Sequence, residues 1–370
     1  MATATNAPPT VQRLFKLMVD GRASDLFVKP GSKPSIRVDG KVQYVSDEPT
    51  SSQFAQTLLE TVMAGRELPP PDVKEWDLAI EFPGVGRFRG NIFRQQGESA
   101  FVFRHIRDQV PSFEELQLPT RPLQRLASLK RGLILVTGVA GSGKSTTIAA
   151  MIEHINQTRN AHVVTVEDPI EFMYTSTQSL VNQREIGLDC ESFSDALKGV
   201  VRQSPDVILI GEMRDKDTME AAIQAAETGH LVFSTLHTIN AIQTVERIIT
   251  FFPPHQHQLL RLQLAMVLQG VISQRLIPKR EGRGRVPAIE LMVSTPTIRE
   301  ILEEGRTKEI YSCIAEGHEY YGSQTFNQSL RTLYQSNAIS LEEAMAAADN
   351  PDELKLEIRG ISKGTRAADF

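Results

Sequence analysis

Cysteine is almost missing from the chain: Cys190 and Cys313 are the only two in 370 residues, and they lie far apart. That excludes a disulfide framework and any C-x-x-C zinc pair, and both thiols are expected to stay free in a reducing cytoplasm. Long apolar runs are lacking as well. No stretch approaches the roughly 18 apolar residues of a membrane span, so any link to a membrane is expected to run through partners, without direct insertion. The opening residues, MATATNAPPT, hold no apolar core of a secretory leader. Positive charge is not in excess either. A net charge of −5 gives no general electrostatic footprint for nucleic acid. What is present is ordinary for a folded protein: 41% hydrophobic and 23% charged residues, enough to bury a core. The length suggests two domains of roughly 100–200 residues each.

The pattern changes along the chain. Residues 1–10 are small, polar and proline-containing, and are expected to be disordered. Val11, Leu14, Phe15 and Met18 fall at helical spacing and predict a short helix over Val11–Val19. Ser35–Val45 alternates around Asp39-Gly40, a hairpin signal. Ser52–Met63 fits an amphipathic helix, and Asp77–Phe82, Arg87–Phe93 and Ala100–Ile106 an antiparallel meander. A small α+β domain is therefore expected over 1–107. Residues 108–122 carry Pro111, Pro119 and Pro122 with little periodicity, and read as a linker. From 123 to 370 short apolar strands (Gly132–Thr137, His162–Glu167, Asp206–Gly211, His230–Thr235) alternate with helices (Lys144–Asn156, Ser192–Arg202, Asp217–Thr228). Such alternation predicts a parallel α/β sheet. After Asn240 the chain reads as mostly helical, with one long helix over His255–Gln274.

The chemistry concentrates in this second region. Gly138-Val-Ala-Gly-Ser-Gly-Lys144-Ser145 is a G-x-x-x-x-G-K-S loop, placed between an apolar strand and a helix. Gly138, Gly141, Ser142 and Gly143 can turn backbone N–H groups onto phosphate oxygens, and the start of the helix at Lys144, Ser145 and Thr146 adds partial positive charge. Lys144 is expected to reach the β- and γ-phosphates of ATP, and Ser145 to ligate Mg²⁺. The strand Val163–Glu167 ends in Glu167-Asp168. Beside a phosphate loop Glu167 is a candidate to position or deprotonate water; the alternative is a solvated acidic turn. The run Asp206–Glu212 is Walker-B-like, so Glu212 is expected to orient the attacking water or hold Mg²⁺ through water. Asp206, at the strand's other end, reads as structural. His230 and His237 bracket the next strand, about 20 Å apart, too far to share a metal. His237 is placed to sense the γ-phosphate; His230 is either functional or a structural or interface residue. Arg87 and Arg89 lie on one strand face with Arg104 on the next strand. They are either a solvated sheet face or arginine fingers that stabilise transition-state charge.

GVAGSGKST, VTVEDPIEF, RQSPDVILIGEMRD and AAETGHLVFSTLHT, in that order, resemble the Walker A, Asp box, Walker B and His box of the secretion ATPase superfamily. SDLFVKPGSKPSIRVDGKV, GRFRGNIF and GRVPAIELMVSTPTIREIL extend the resemblance over nearly the whole chain, toward the PilT/PilU family of type IV pilus retraction ATPases. The resemblance implies a PAS-like N-terminal domain, a RecA-like P-loop domain with a helical C-terminal extension, and a homo-hexameric ring with nucleotide held between the two domains. It implies Glu167 as the Asp-box acid, Glu212 as the catalytic glutamate, His230 and His237 as the His-box pair, with His230 near nucleotide, and Arg87, Arg89 and Arg104 as arginines that approach the phosphates. It implies a cytoplasmic motor, peripheral at the inner membrane through a pilus platform protein. Two isolated cysteines cannot build the four-cysteine zinc site usual in the assembly ATPases. The phosphate loop reads Gly-Val-Ala-Gly where the family commonly shows Gly-Pro-Thr-Gly. The tail from EYYGSQTFNQSL onward leans to the PilU side, which implies an accessory motor working with a paralogous retraction ATPase. The other readings are a nucleic-acid translocase on the same core, which the acidic balance disfavours, and a nucleotide-gated regulatory subunit of a partner motor.

Overall fold

The computed structural model describes residues 2–3, 7–38, 40–64, 73–106 and 109–359. The fold is α/β, in two units: Met1–Gln109 with Glu171–Met173, and Val110–Ile170 with Tyr174–Phe370.

In the first unit β1 (Ala2–Thr3) and α1 (Pro9–Asp20) precede β2 (Asp25–Val28), β3 (Ser35–Val38), β4 (Lys41–Tyr44), α2 (Ser52–Val62), β5 (Glu75–Phe82), β6 (Gly86–Gln95) and β7 (Glu98–Ile106). The seven strands are ordered β1-β5-β6-β7-β2-β3-β4. Helix α1 starts on Pro9, where a missing N–H costs nothing, and buries Val11, Leu14, Phe15 and Met18. Phe15 is fully buried, its ring centroid 4.2 Å from that of Phe82 and 4.7 Å from those of Phe88 and Phe103. The meander is present, and β3 pairs with β4 as a hairpin whose turn residue Asp39 lies outside the described residues. The disorder expected of residues 1–10 falls partly outside them too; Ala2–Thr3 pair in parallel with β5.

The second unit opens with α3 (Thr120–Ala127). Then follow β8 (Gly132–Thr137), α4 (Lys144–Thr158), β9 (His162–Glu167), β10 (Leu180–Glu185), α5 (Phe193–Val200), β11 (Val207–Ile210), α6 (Lys216–Glu227), β12 (Leu231–Leu236), α7 (Ala241–Thr250) and α8 (His257–Val267). A hairpin of β13 (Leu268–Pro278) and β14 (Arg285–Val293) precedes α9 (Pro296–Glu304), α10 (Ile310–Glu316), α11 (His318–Tyr321), α12 (Phe326–Gln335), α13 (Leu341–Ala347) and α14 (Pro351–Ile358). The sheet order is β10-β9-β11-β12-β8-β13-β14, parallel except for β14. Every residue of β8, β11 and β12 is buried, as expected of strands covered on both faces. On β8, Ile134 and Val136 face the cluster of α3 and α4, while Leu133 and Leu135 face that of α5 to α8.

Two expectations change. The helix expected over His255–Gln274 ends at Val267, and the chain continues as β13 between β8 and β14. A continuous apolar run has no period that separates a buried strand from a buried helix. Gly270 marks the difference: β13 shifts register between Leu268 and Gly270, and a Cβ on Gly270 would stand 3.0 Å from Leu126. The stretch read as a linker is also anchored, because Phe113 and Leu118 are buried in the core of the second unit.

Strand β14 carries a buried acid. Glu290 is 3% exposed, and its Oε1 accepts the N–H of Ala241 at the start of α7 (2.7 Å). Burial pushes its pKa from 4.5 to about 7; the Ala241 N–H and Arg275 oppose the rise, and Asp349 adds to it. From pH 4.5 to 7 the folded protein thus keeps a proton that the unfolded chain has released. Stability should fall as pH rises through this window, by on the order of 3 kcal/mol. Glu290→Gln keeps the acceptor without the charge. In urea unfolding it should match wild type near pH 5 and exceed it at pH 8; parallel pH profiles would refute the burial cost.

Candidate nucleotide site

Strand β8 delivers the chain at Thr137 into a loop that returns at Lys144 as α4. Gly138 and Gly143 hold φ of 142° and 95°, and Gly141 75°. At Gly138 a Cβ would stand 2.5 Å from both the Gln274 carbonyl oxygen and the Ser142 hydroxyl, so nothing larger than glycine fits. This geometry suits a loop that wraps its backbone around an anion at a helix N-terminus. Lys144 is 9% exposed, and its ammonium donates to the carbonyls of Gly138 (2.8 Å) and Val139 (3.1 Å). The buried hydroxyl of Ser142 has no hydrogen-bond partner, a polar group left for a ligand. Ser145 and Thr146 follow Lys144 in the first turn of α4. Strand β13 backs the loop: Thr137 donates to Ser273 (2.9 Å), and Thr147 to the Gln274 side-chain oxygen (2.9 Å). Sequence reading missed Gln274 because its segment was taken for helix.

The acids gather at the same sheet edge. Ile210 pairs with Val166, so Gly211 lies beside Glu167, and a Cβ on Gly211 would be 3.3 Å from the Glu167 Cα. Glu167 Oε1 accepts from Thr165 (2.7 Å) and Gln183 (3.3 Å). Gln183 lies on β10, a strand that sequence reading did not find. The Glu212 side chain is 18% exposed; its Oε1 meets His237 Nε2 at 3.0 Å and its Oε2 meets Arg214 Nη2 at 2.8 Å. A cavity of about 410 Å³ opens here, bounded by Glu212, Arg214, His237, Thr238, Gln243 and Arg247. Strand β12 runs between β8 and β11. The phosphate loop, His237 and Glu212 thus leave the carboxyl ends of three consecutive strands, with Glu167 on the fourth, where open α/β sheets bind ligands.

Other residues stand elsewhere. His230 is at the amino end of β12, where Nδ1 meets the Ala225 carbonyl (2.8 Å), away from the phosphate loop within this unit. Asp206 accepts the N–H of His162 at 2.8 Å, the structural role expected of it. In the first unit Arg89 is paired with Arg104 across β6 and β7, and Arg87 lies two residues away, so all three share one sheet face. Arg104 binds Asp25 (3.0 Å) and Arg89 approaches Asp77 (3.4 Å).

Residues 6–350 match the family described as Type II/IV secretion system protein. The type IV pilus ATPase PilU of Pseudomonas aeruginosa is 40% identical over 349 residues, 94% of this chain and 91% of that protein. The type IV pilus retraction ATPase PilT of the same organism is 43% identical over 331 residues, 89% of this chain and 95% of that one. A crystal structure of the pilus retraction motor PilT with bound ADP superimposes with a TM-score of 0.85 at 44% identity, covering 93% of this chain and 98% of that one. Neither the nucleic-acid translocase nor the regulatory-subunit reading finds support among these relatives. With a phosphate loop, two acids and a histidine at one sheet edge and this similarity along nearly its full length, the chain is an ATP-binding ATPase that belongs to the type II/IV secretion ATPase family, in the branch of type IV pilus retraction ATPases.

Proposed function

We propose that this ATPase works as a homo-hexameric motor of type IV pilus retraction, the activity that drives twitching motility. The observation that carries the reading is the convergence of the phosphate loop, Glu167 and Glu212 in one unit. Residues 1–107 would form a PAS-like domain and 123–370 a RecA-like domain with helical extension. The proposed setting is cytoplasmic, at the inner membrane through a platform protein; among the described residues no helix is long and apolar enough to cross a membrane.

ATP is the substrate, held by the loop backbone and Lys144. Mg²⁺ fits as part of the nucleotide complex. No group of three or more His, Cys, Asp or Glu among the described residues could hold a metal alone. The Ser145 hydroxyl is a hard oxygen donor that complements phosphate oxygens, with Glu212 acting through water. Bound there, the ion would neutralise charge on the phosphates. Glu212 orients the attacking water, Glu167 supports it, and His237 links Glu212 to the γ-phosphate. Arg87, Arg89 and Arg104 would supply further positive charge to the transition state. An accessory, PilU-like role beside a paralogous retraction ATPase is the second reading, favoured by the longer alignment with PilU, 349 residues against 331.

The test is ATP turnover of the purified chain with Mg²⁺, wild type beside Glu212→Gln, with mass measured in the same buffer. A six-subunit species should hydrolyse ATP, and the variant should lose about 10²-fold or more. No turnover by an ATP-binding wild type would favour the accessory role, whereas full turnover by Glu212→Gln would remove Glu212 from catalysis.

A further inference from the structure

The structure assigns Arg214 to the hydrolytic machinery as the residue that sets the orientation of the Glu212 carboxylate. The inference rests on the proposed role of Glu212.

A carboxylate that orients water must present one oxygen in a fixed direction, yet a glutamate side chain turns about three bonds. Something has to hold the other oxygen. In this chain both oxygens of Glu212 are occupied, and by unlike groups. Oε1 faces the His237 ring (3.0 Å) and Oε2 the Arg214 guanidinium (2.8 Å). His237 is itself proposed to respond to phosphate, so its hold on Oε1 changes with the ligand. Arg214 keeps its charge throughout, and a charge-assisted bond to a guanidinium is the stronger anchor. Oε2 is therefore the held oxygen, and Oε1, shared with His237, is the one that can be given over to water.

The backbone gives the anchor its precision. Glu212 and Arg214 are two residues apart, and the segment carrying them is pinned along its length. The Gly211 N–H donates to Val166 (2.8 Å), and the Gly211 carbonyl accepts from the Thr235 hydroxyl (2.7 Å). The Met213 N–H donates to Thr235 (3.2 Å), and the Met213 side chain is 1% exposed in the core. Asp215 then caps α6, accepting both the N–H and the hydroxyl of Thr218 (2.8 and 2.9 Å). Between Met213 and Asp215 the Arg214 backbone has little freedom, so the fold fixes where the side chain starts, and its ion pair with Glu212 Oε2 fixes where it ends. Its charge also feels Asp168, the acid next to Glu167. The Arg214 side chain is 62% exposed, and an ion pair so open to water adds little to folding. Its value lies in direction.

Arg214→Ala and Arg214→Lys should be measured for ATP turnover per assembled subunit, for affinity toward a fluorescent ADP analogue, and for melting temperature, with Glu212→Gln alongside. We expect Arg214→Ala to lose about 10- to 100-fold in kcat, with the KM for ATP and the ADP-analogue affinity held within about threefold and melting unchanged. Arg214→Lys, which keeps the charge but not the fork, should recover part of the loss. Turnover in Arg214→Ala within about threefold of wild type, while Glu212→Gln is inactive, would overturn the inference and leave the proposed function standing. A fall in nucleotide affinity that matches the fall in kcat/KM would overturn it as well, because Arg214 would then be a nucleotide contact. Loss of assembly with normal turnover in the ring that remains would do the same. Activity in Glu212→Gln would instead remove the reading on which the inference rests.

Discussion

Lys144→Ala should reduce ATP hydrolysis by about 10³-fold or more while leaving the fold intact. The two parts of the expectation have separate physical grounds. Lys144 is the one cation of the phosphate loop, and its ammonium stands over the Gly138 and Val139 carbonyls. A buried ammonium with carbonyl partners is a poor source of stability, because the loss of hydration offsets most of what the hydrogen bonds return. What it offers is a positive charge placed before the phosphates arrive, and that is worth most in the transition state. The loop itself does not depend on it: Gly138 and Gly143 set the backbone, and Thr137 and Thr147 tie it to β13. Hydrolysis and fluorescent-nucleotide titration on the same samples, with melting temperature as the control, would check this. Turnover near wild type would take the loop out of catalysis altogether.

Phe15→Ala should destabilise the first unit by about 3–5 kcal/mol, the cost of deleting a large buried aromatic. Phe15 is fully buried and its ring meets those of Phe82, Phe88 and Phe103, so the cavity would open between α1 and strands β5, β6 and β7. Three rigid rings around a vacancy relax poorly, which places the loss in the upper part of that range. The second unit has its own cores on both faces of its sheet. Hydrogen exchange read by mass spectrometry should therefore show peptides of β5 to β7 losing protection while β8, β11 and β12 keep theirs. Equal loss in both sets would mean that the two cores stand or fall together.

The phosphate loop and its acids were legible in the sequence because each is a local signal. Three glycines and a lysine at fixed spacing leave one conformation open. An apolar run ending in an acid places that acid at a strand's carboxyl end, and both Glu167 and Glu212 are found there. Less legible was whatever depends on burial from two sides. Val271 and Ile272 look alike in a helix or a central strand, and only Gly270 hinted at the bulge that β13 contains. With β13 misread, Gln274 and Ser273 could not be connected to the loop they support, 136 residues away in the case of Thr137 and Ser273. The partners of Glu212 were hidden for another reason. Arg214 is two residues along the chain and was in plain sight, but nothing in a sequence says which oxygen a side chain will hold. His230 is the reverse case, a residue from the same sequence box as His237 that the strand carries to the opposite end of the sheet.

Strand β13 brings two parts of the second unit into one register. Gln274 receives Thr147 from the nucleotide loop's helix, and its carbonyl closes over Gly138. The next residue, Arg275, holds the Ala347 carbonyl and Asp349 (both 2.5 Å) and lies over the Phe326 ring at 3.8 Å, among the last helices of the chain. Successive side chains of a strand point to opposite faces. One peptide unit therefore separates the grip on the phosphate loop from the grip on the C-terminal helices, with no flexible joint between them. Gaining or losing a single residue in this strand would exchange the two faces, so length is as constrained here as composition. The turn beyond it, from Lys279 to Gly284, extends the second grip: the Arg280 N–H donates to the Ala338 carbonyl (2.9 Å), just past the end of α12, so the hairpin is held at its tip as well.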